Sequence, residues 1–342
     1  MQTLPIFVHI SKTSGSSTAT LIGCNYAAGE THNITGGLYR EKGVRVNPFD
    51  PKAVLDYVLR ERKNLVRHKL ISGHMPYGIH RILGVTPQYY VFLREPVALL
   101  LAHIRNVRRA VETRLKYDML PPETEGYEFA LKLLNCASPS EVLDMVLAPD
   151  FCPTGNAFRN LLTHYVSGCW FTEQVSLTQL NVAIDNLRAS AFVGITEEFE
   201  LSILMMAKKL KWRNVVPVLA NQTPHSAKGQ PFGREIPDEI RARLVRPLAY
   251  DQALYAVGQD IFHDAVKAEG TLLAEAAAQL KEIYQQLRRE NSDLLYREER
   301  NLIDINAMST QWQKIHERVL ALNAGLAPAS PLGRWQKICA AA

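Results

Sequence analysis

Cysteine is scarce: five residues in 342, at positions 24, 136, 152, 169 and 339, with no CxxC pair and no metal-ligand spacing. An odd, scattered set argues against a disulfide framework and fits reduced thiols, as in a cytoplasmic protein. No stretch approaches the ~18 apolar residues of a membrane span. No basic and then apolar leader precedes the first strand-like run. The expectation is a cytoplasmic protein without a membrane span. Neither sign of charge dominates: 39 Lys and Arg against 34 Asp and Glu leave a net +5. That excess favours anionic ligands without calling for nucleic acid. A Walker A loop, with its closing Gly-Lys-Ser/Thr, is also missing.

What is present begins at residue 5. Ile6 to Ile10 is an apolar, β-branched run and reads as a buried strand. Ser11 to Thr18 is small and hydroxylic, with one lysine, Lys12, and one glycine, Gly15. Helix-compatible residues follow from Ala19. Strand, small-residue turn and helix start make a phosphate cradle, because backbone N–H groups and the helix dipole face an anion. Lys12 adds a full positive charge. The same stretch also fits an ordinary capped turn. A second strand pattern, Tyr89 to Leu93, ends in Arg94, and Pro96 suits the first turn of a helix behind it. A third, Lys69 to His74, ends in Gly73-His74, and Ala191 to Ile195 reads as a fourth strand.

Strands alternating with helices predict an α/β fold, a central parallel sheet flanked by helices. Ligands sit at the carboxyl ends of such strands. Lys12, His74 and Arg94 all fall at strand ends, so three motifs converge on one cleft. Residues 28–50, rich in Gly, Asn and Thr, read as a long loop. Helix is predicted over 51–63, 96–116, 127–135, 139–147, 156–167 and 174–190. It resumes from about Pro237.

The pair His9-Ile-Ser-Lys-Thr-Ser-Gly-Ser-Ser17 and Phe92-Leu-Arg-Glu-Pro-Val97 resembles the sulfotransferases that use 3′-phosphoadenosine 5′-phosphosulfate (PAPS). Ser72-Gly-His-Met-Pro-Tyr-Gly78 and Phe192-Val-Gly-Ile-Thr-Glu-Glu-Phe-Glu200 resemble the carbohydrate branch that includes heparan sulfate 2-O-sulfotransferase. The likeness covers about residues 4–263 and implies a P-loop kinase-like fold with PAPS as donor and no metal. It implies that Lys12, Thr13, Ser14, Gly15, Ser16 and Ser17 hold the 5′-phosphosulfate. Arg94 would bind the 3′-phosphate through its fork of donors. His74 would take the acceptor proton, and Arg159, in Asn156-x-x-Arg, would lie near the acceptor. The family's serine eight residues after the arginine is Ala102 here. Arg105, on the same helical face, and Lys228, in a late loop, are the candidates to replace it.

The expected activity is sulfuryl transfer to a hydroxyl of a saccharide or glycoconjugate. Two rivals stay open: a nucleotide-dependent phosphotransferase, which needs magnesium ligands, and a catalytically silent sulfotransferase-like assembly module. The expected division is a sulfotransferase domain over 1–265 and a helical extension over 266–342. In the extension Leu280, Leu287, Leu294, Met308, Ile315 and Leu322 fall on one seven-residue grid, with Tyr284, Ile305, Trp312 and Val319 four residues later. That grid fits a coiled coil joining two copies of the chain. It fits a helical hairpin packed on the domain equally well.

Overall fold

The computed structural model describes residues 2–34, 51–116, 127–136, 138–148, 158–169, 175–216, 238–289 and 316–342. Among these residues five strands form one all-parallel sheet: β1 (Thr3–Val8), β2 (Thr31–Ile34), β3 (Leu70–Gly73), β4 (Thr86–Leu93) and β5 (Phe192–Ile195). Their order is β2-β3-β1-β4-β5. The register sets Ile6 beside Ile71 and Tyr89, and Val8 beside Gly73 and Val91. β1 and β4 are near-continuous apolar runs because helices cover both faces of a parallel sheet. Leu4, Ile6, Phe7 and Val8 are all buried, as are Tyr89 to Leu93. Pro5 has no N–H to give, and the β1–β3 pairing begins one residue later, at Ile6.

Helix α1 (Gly15–Asn25) links β1 to β2, and α2 (Pro51–Leu65) lies between β2 and β3. The short α3 (His80–Leu83) leads to β4. Between β4 and β5 come α4 (Pro96–Lys116), α5 (Tyr127–Asn135), α6 (Pro139–Leu147), α7 (Leu161–Ser167) and α8 (Leu177–Arg188). Behind β5 lie α9 (Phe199–Lys209), α10 (Asp238–Leu244), α11 (Ala249–Lys267), α12 (Thr271–Arg289), α13 (316–324) and α14 (Pro331–Ala341). The chain therefore has an α/β fold with a helical C-terminal part. Among the described residues no helix is long and apolar enough to cross a membrane.

The order of the strands places the cleft. From β1 the chain turns toward β3 and β2, and from β4 it turns the other way, toward β5. The two loops part above the β1–β4 pair, and that divergence opens a crevice at their carboxyl ends. α4 leaves β4 with Val97, Leu100, Leu101 and Ile104 buried in a separate cluster with residues of α5, α6 and α10. Its Arg105 and Arg109 lie off that stripe.

Several sequence expectations change: the first strand spans Thr3–Val8 rather than 6–10, and the helix expected over 156–167 begins at Leu161. Residues 31–34, read as loop, form edge strand β2, paired from Thr31 with Leu70 to Ile34 with Gly73. Thr-His-Asn-Ile is too short and polar to show an alternation, and its strand character comes from β3 beside it. β4 also starts at Thr86, three residues before the apolar run, because pairing with Thr3 carries it back to there.

Asp251 on α11, 1% exposed, caps α7 across the chain. Its carboxylate accepts from the N–H groups of Leu162 (3.0 Å) and Thr163 (2.8 Å) and from the Thr163 hydroxyl (2.8 Å). These donors would otherwise be orphaned at a helix start. Burial still pushes the carboxyl up to about 6.

The C-terminal helices pack on α9. Leu280, Tyr284 and Leu287 of the seven-residue grid are buried in the same core as the sheet, with Trp335 of α14. The Trp335 indole donates to the Leu204 carbonyl of α9 (3.1 Å). Asn323 of α13 accepts from the Val215 and Val216 N–H groups (2.6 and 2.9 Å) and donates to the Val216 carbonyl (3.2 Å). Grid positions 294–315 lie outside the described residues.

Candidate functional site

The turn after β1 is closed by its own side chains. Thr13 donates to the Ile10 carbonyl from its hydroxyl (2.9 Å), and Thr18 donates to the Ser14 carbonyl from both N–H and hydroxyl (3.1 and 3.2 Å). Lys12 and Ser14 both take positive φ, 66° and 63°. Left-handed backbone at a residue with a Cβ costs roughly 1–3 kcal/mol. Ser14 precedes α1 and makes no side-chain cap. Ser16 and Ser17 stand in the first turn of α1. The Thr13 N–H also donates to the Ile10 carbonyl (3.4 Å), so both of its donors are engaged in the turn.

Arg94 joins this turn to β4. Its Nη1 donates to the Lys12 carbonyl (2.9 Å), and its Nε lies 4.0 Å from the Glu197 carboxylate. Glu197 is held in turn by the Tyr255 hydroxyl (3.0 Å) and accepts from the Glu95 N–H (3.1 Å). The Glu95 carboxylate accepts from the Val97 and Ala98 N–H groups and so caps α4 itself (3.2 and 2.7 Å). Of the two helices rising from the crevice, α4 is thus self-capped and α1 carries no side-chain cap.

Lys12 sits among cations. Burial, with Arg109, Arg94 and Arg105 in that order of influence, brings its ammonium down to about 7. Arg105 is itself lowered by burial and then by Arg94. Arg105 and Arg109 are four residues apart on α4, so they share a face. Arg109 also donates to Asn106 (3.3 Å). Four basic side chains gather where the strand loops diverge, with the Glu197 carboxylate beside Arg94, and the excess of positive charge favours an entering anion.

His74 follows β3 on the other side of β1. Its Nδ1 lies 2.7 Å from the His9 carbonyl. A carbonyl only accepts, so Nδ1 carries the proton and the neutral ring has its lone pair on Nε2. Burial and then Lys12 lower the imidazole, against the raising effect of the His9 carbonyl, to about 4. His74 is therefore neutral near pH 7. Gly73 has φ 144°, and a Cβ there would stand 2.1 Å from the Ile34 carbonyl oxygen. That oxygen accepts from the His74 N–H (2.9 Å). Glycine at 73 lets β2 close against β3 and sets where His74 leaves the sheet. His103, buried on α4, is also lowered to about 4 by burial, Lys12 and His74.

Lys12, Thr13, Ser14, Gly15, Ser16, Ser17, His74, Arg94 and Arg105 all lie about the crevice. Ala102 is buried on α4, at 9% exposure. Arg159 stands in the turn before α7, and the described contacts do not join it to the cradle. Lys228 and Asn156 lie outside the described residues. Three further residues belong to the site. Arg109 stands four residues after Arg105, a spacing legible in the sequence. Glu197 lies within the Phe192–Glu200 stretch, and nothing adjacent to it shows that it meets Arg94. His9 closes the first strand-like run, and nothing adjacent to it shows that it meets His74. Arg108, the neighbour of Arg109, caps α5 by donating to the Leu134 and Cys136 carbonyls (3.3 and 3.4 Å).

Neither protein-family models nor curated proteins match this chain.

Proposed function

We propose that this chain transfers a sulfuryl group from PAPS to a hydroxyl of a saccharide or glycoconjugate. The observation that carries the reading is the gathering of Lys12, Arg94, Arg105 and Arg109 at the uncapped start of α1. A donor with phosphate at both its 5′ and 3′ positions suits four cations without a metal. The motif resemblance supplies the donor's identity. In the reaction the acceptor oxygen bonds to sulfur as the bond from sulfur to the bridging phosphate oxygen breaks. The acceptor proton goes to Nε2 of His74. The negative charge left on the phosphate falls to Lys12 and the arginines, where fixed positive charge is most useful. Arg94, oriented by Glu197 and tied to the Lys12 carbonyl, also holds the turn in its strained form. Arg105 and Arg109 supply the charge that the serine replaced by Ala102 would have complemented.

Calorimetry with adenosine 3′,5′-bisphosphate, with and without magnesium, tests the reading. Tight binding without metal is the expected result. Dependence on magnesium would point instead to a phosphotransferase. Absence of binding would leave a silent module of the same fold.

A further inference from the structure

We propose that His9 is a positioning residue for His74, a spacer that transmits the place of the cradle helix α1 to the group that takes the acceptor proton. The inference rests on the sulfuryl-transfer reading of the site. Three contacts tie His9 to the end of β3. Its N–H donates to the Gly73 carbonyl (2.8 Å), carrying the sheet pairing one residue past β1. Its carbonyl accepts the Nδ1 proton of His74 (2.7 Å). Its imidazole stacks on that of His74, with centroids 4.2 Å apart and planes at 25°.

The His9 ring also meets α1. A Cβ built on Gly15 would stand 1.9 Å from both Cδ2 and Nε2 of His9. The ring thus fills the space over the first residue of α1, and only glycine leaves room for it. Phe7, two residues earlier on the same face of β1, lies nearly parallel to it at 6.1 Å. His9 thus touches both the start of α1 and the face of His74.

This arrangement fixes two properties of His74. The carbonyl sets which nitrogen holds the proton, and the stacked ring sets the tilt of Nε2 and keeps water from one face. The titratable groups facing His74 are His9 from the end of β1, Lys12 from the turn and His103 from α4. Burial first, then His74 and Lys12, hold His9 itself well below the usual histidine range. It stays neutral while His74 takes up a proton and returns it to solvent.

The test is a nuclear magnetic resonance titration of the His74 ring in the full chain, for the parent, His9→Phe, His9→Leu and His9→Ala. Phenylalanine keeps a stacked ring, so His74 should titrate as in the parent. Alanine opens the ring to water, so in His9→Ala the His74 midpoint should climb by about one unit or more toward the ordinary ~6.5. Leucine fills the space and keeps water out but offers no planar face, so His74 should titrate near the parent while its tilt is lost. Transfer by His9→Leu should therefore fall about tenfold or more with the donor KM little changed. Gly15→Ala should raise the His74 midpoint, since its methyl collides with the His9 ring, and it keeps the titration available if His9→Ala does not fold. An unshifted His74 in His9→Ala and Gly15→Ala, or parental transfer in His9→Leu, would overturn the spacer role. So would a shift in His9→Phe as large as that in His9→Ala. The titration needs no nucleotide, so its outcome is separate from that of the calorimetric test of PAPS use.

Discussion

Binding of adenosine 3′,5′-bisphosphate should take up a proton at Lys12. In the free protein burial and three arginines hold that ammonium at about 7. Phosphate beside it reverses the sign of the local field, and its affinity for the proton recovers toward the ordinary ~10.5. At pH 8 about nine in ten Lys12 side chains are neutral before binding, so complex formation takes up about 0.9 proton. Above pH 7 the affinity should fall about tenfold per pH unit. The ligand adds little to this slope above about pH 7.5, because the second ionisation of a phosphate lies near ~6. Calorimetry at pH 8 in two buffers of different ionisation enthalpy counts the protons directly. Lys12→Met keeps the length of the side chain and removes the charge, and it should bind weakly with neither uptake nor slope. Arg109→Gln removes the charge with the largest effect on Lys12 and should move the onset of the slope to higher pH. An affinity flat between pH 7 and 9, or uptake that persists in Lys12→Met, would refute the reasoning.

Two further outcomes are expected. His74→Ala should bind adenosine 3′,5′-bisphosphate like the parent yet transfer about 10²–10⁴ more slowly. The parent's kcat/KM should lose its acid side near pH 4, where the His74 ring charges in the free protein; transfer at the parent rate in His74→Ala would move the base elsewhere. Asp251 gives a stability test. Its folded value is raised from 3.8 to about 6, so the folded state holds the proton more tightly. Its contribution is full below the unfolded value and is lost as pH rises through 6, by about 3 kcal/mol in all. His74 and His103 are lowered and act in the opposite sense, so denaturant titrations from pH 3 to 7 should compare the parent with Asp251→Asn. The parent should lose stability relative to the variant across this window, and a constant difference would count against the assignment.

Local chemistry fixed much of the fold in advance. The apolar runs expected at 6–10, 89–93 and 191–195 mark the strands Thr3–Val8, Thr86–Leu93 and Phe192–Ile195, because continuous β-branched and aromatic residues suit a sheet covered on both faces. α5 and α6 were bounded correctly, over 127–135 and 139–147. Ser138 accepts from the Glu141 N–H with Pro139 at the first helical position, a start signal carried entirely by adjacent residues. Lys12, His74 and Arg94 were legible as strand-end residues for the same reason.

Other features depended on residues far apart in the chain. β2 is a strand only because β3 lies beside it. The surroundings of Lys12 hold three arginines from positions 94, 105 and 109, and no local pattern gives the field that their approach creates. Glu197 became an orienting group for Arg94 when β5 paired with β4. The surroundings of His9 needed the strand order, which seats Gly73 and His74 beside it and brings the first residue of α1 against its ring. From its sequence this chain declares strands, turns and a lysine at a helix start, because those follow from propensity and steric fit between neighbours. The charge on that lysine and the nitrogen on which His74 keeps its proton were decided by the folded structure, since burial and Coulomb interactions act through space.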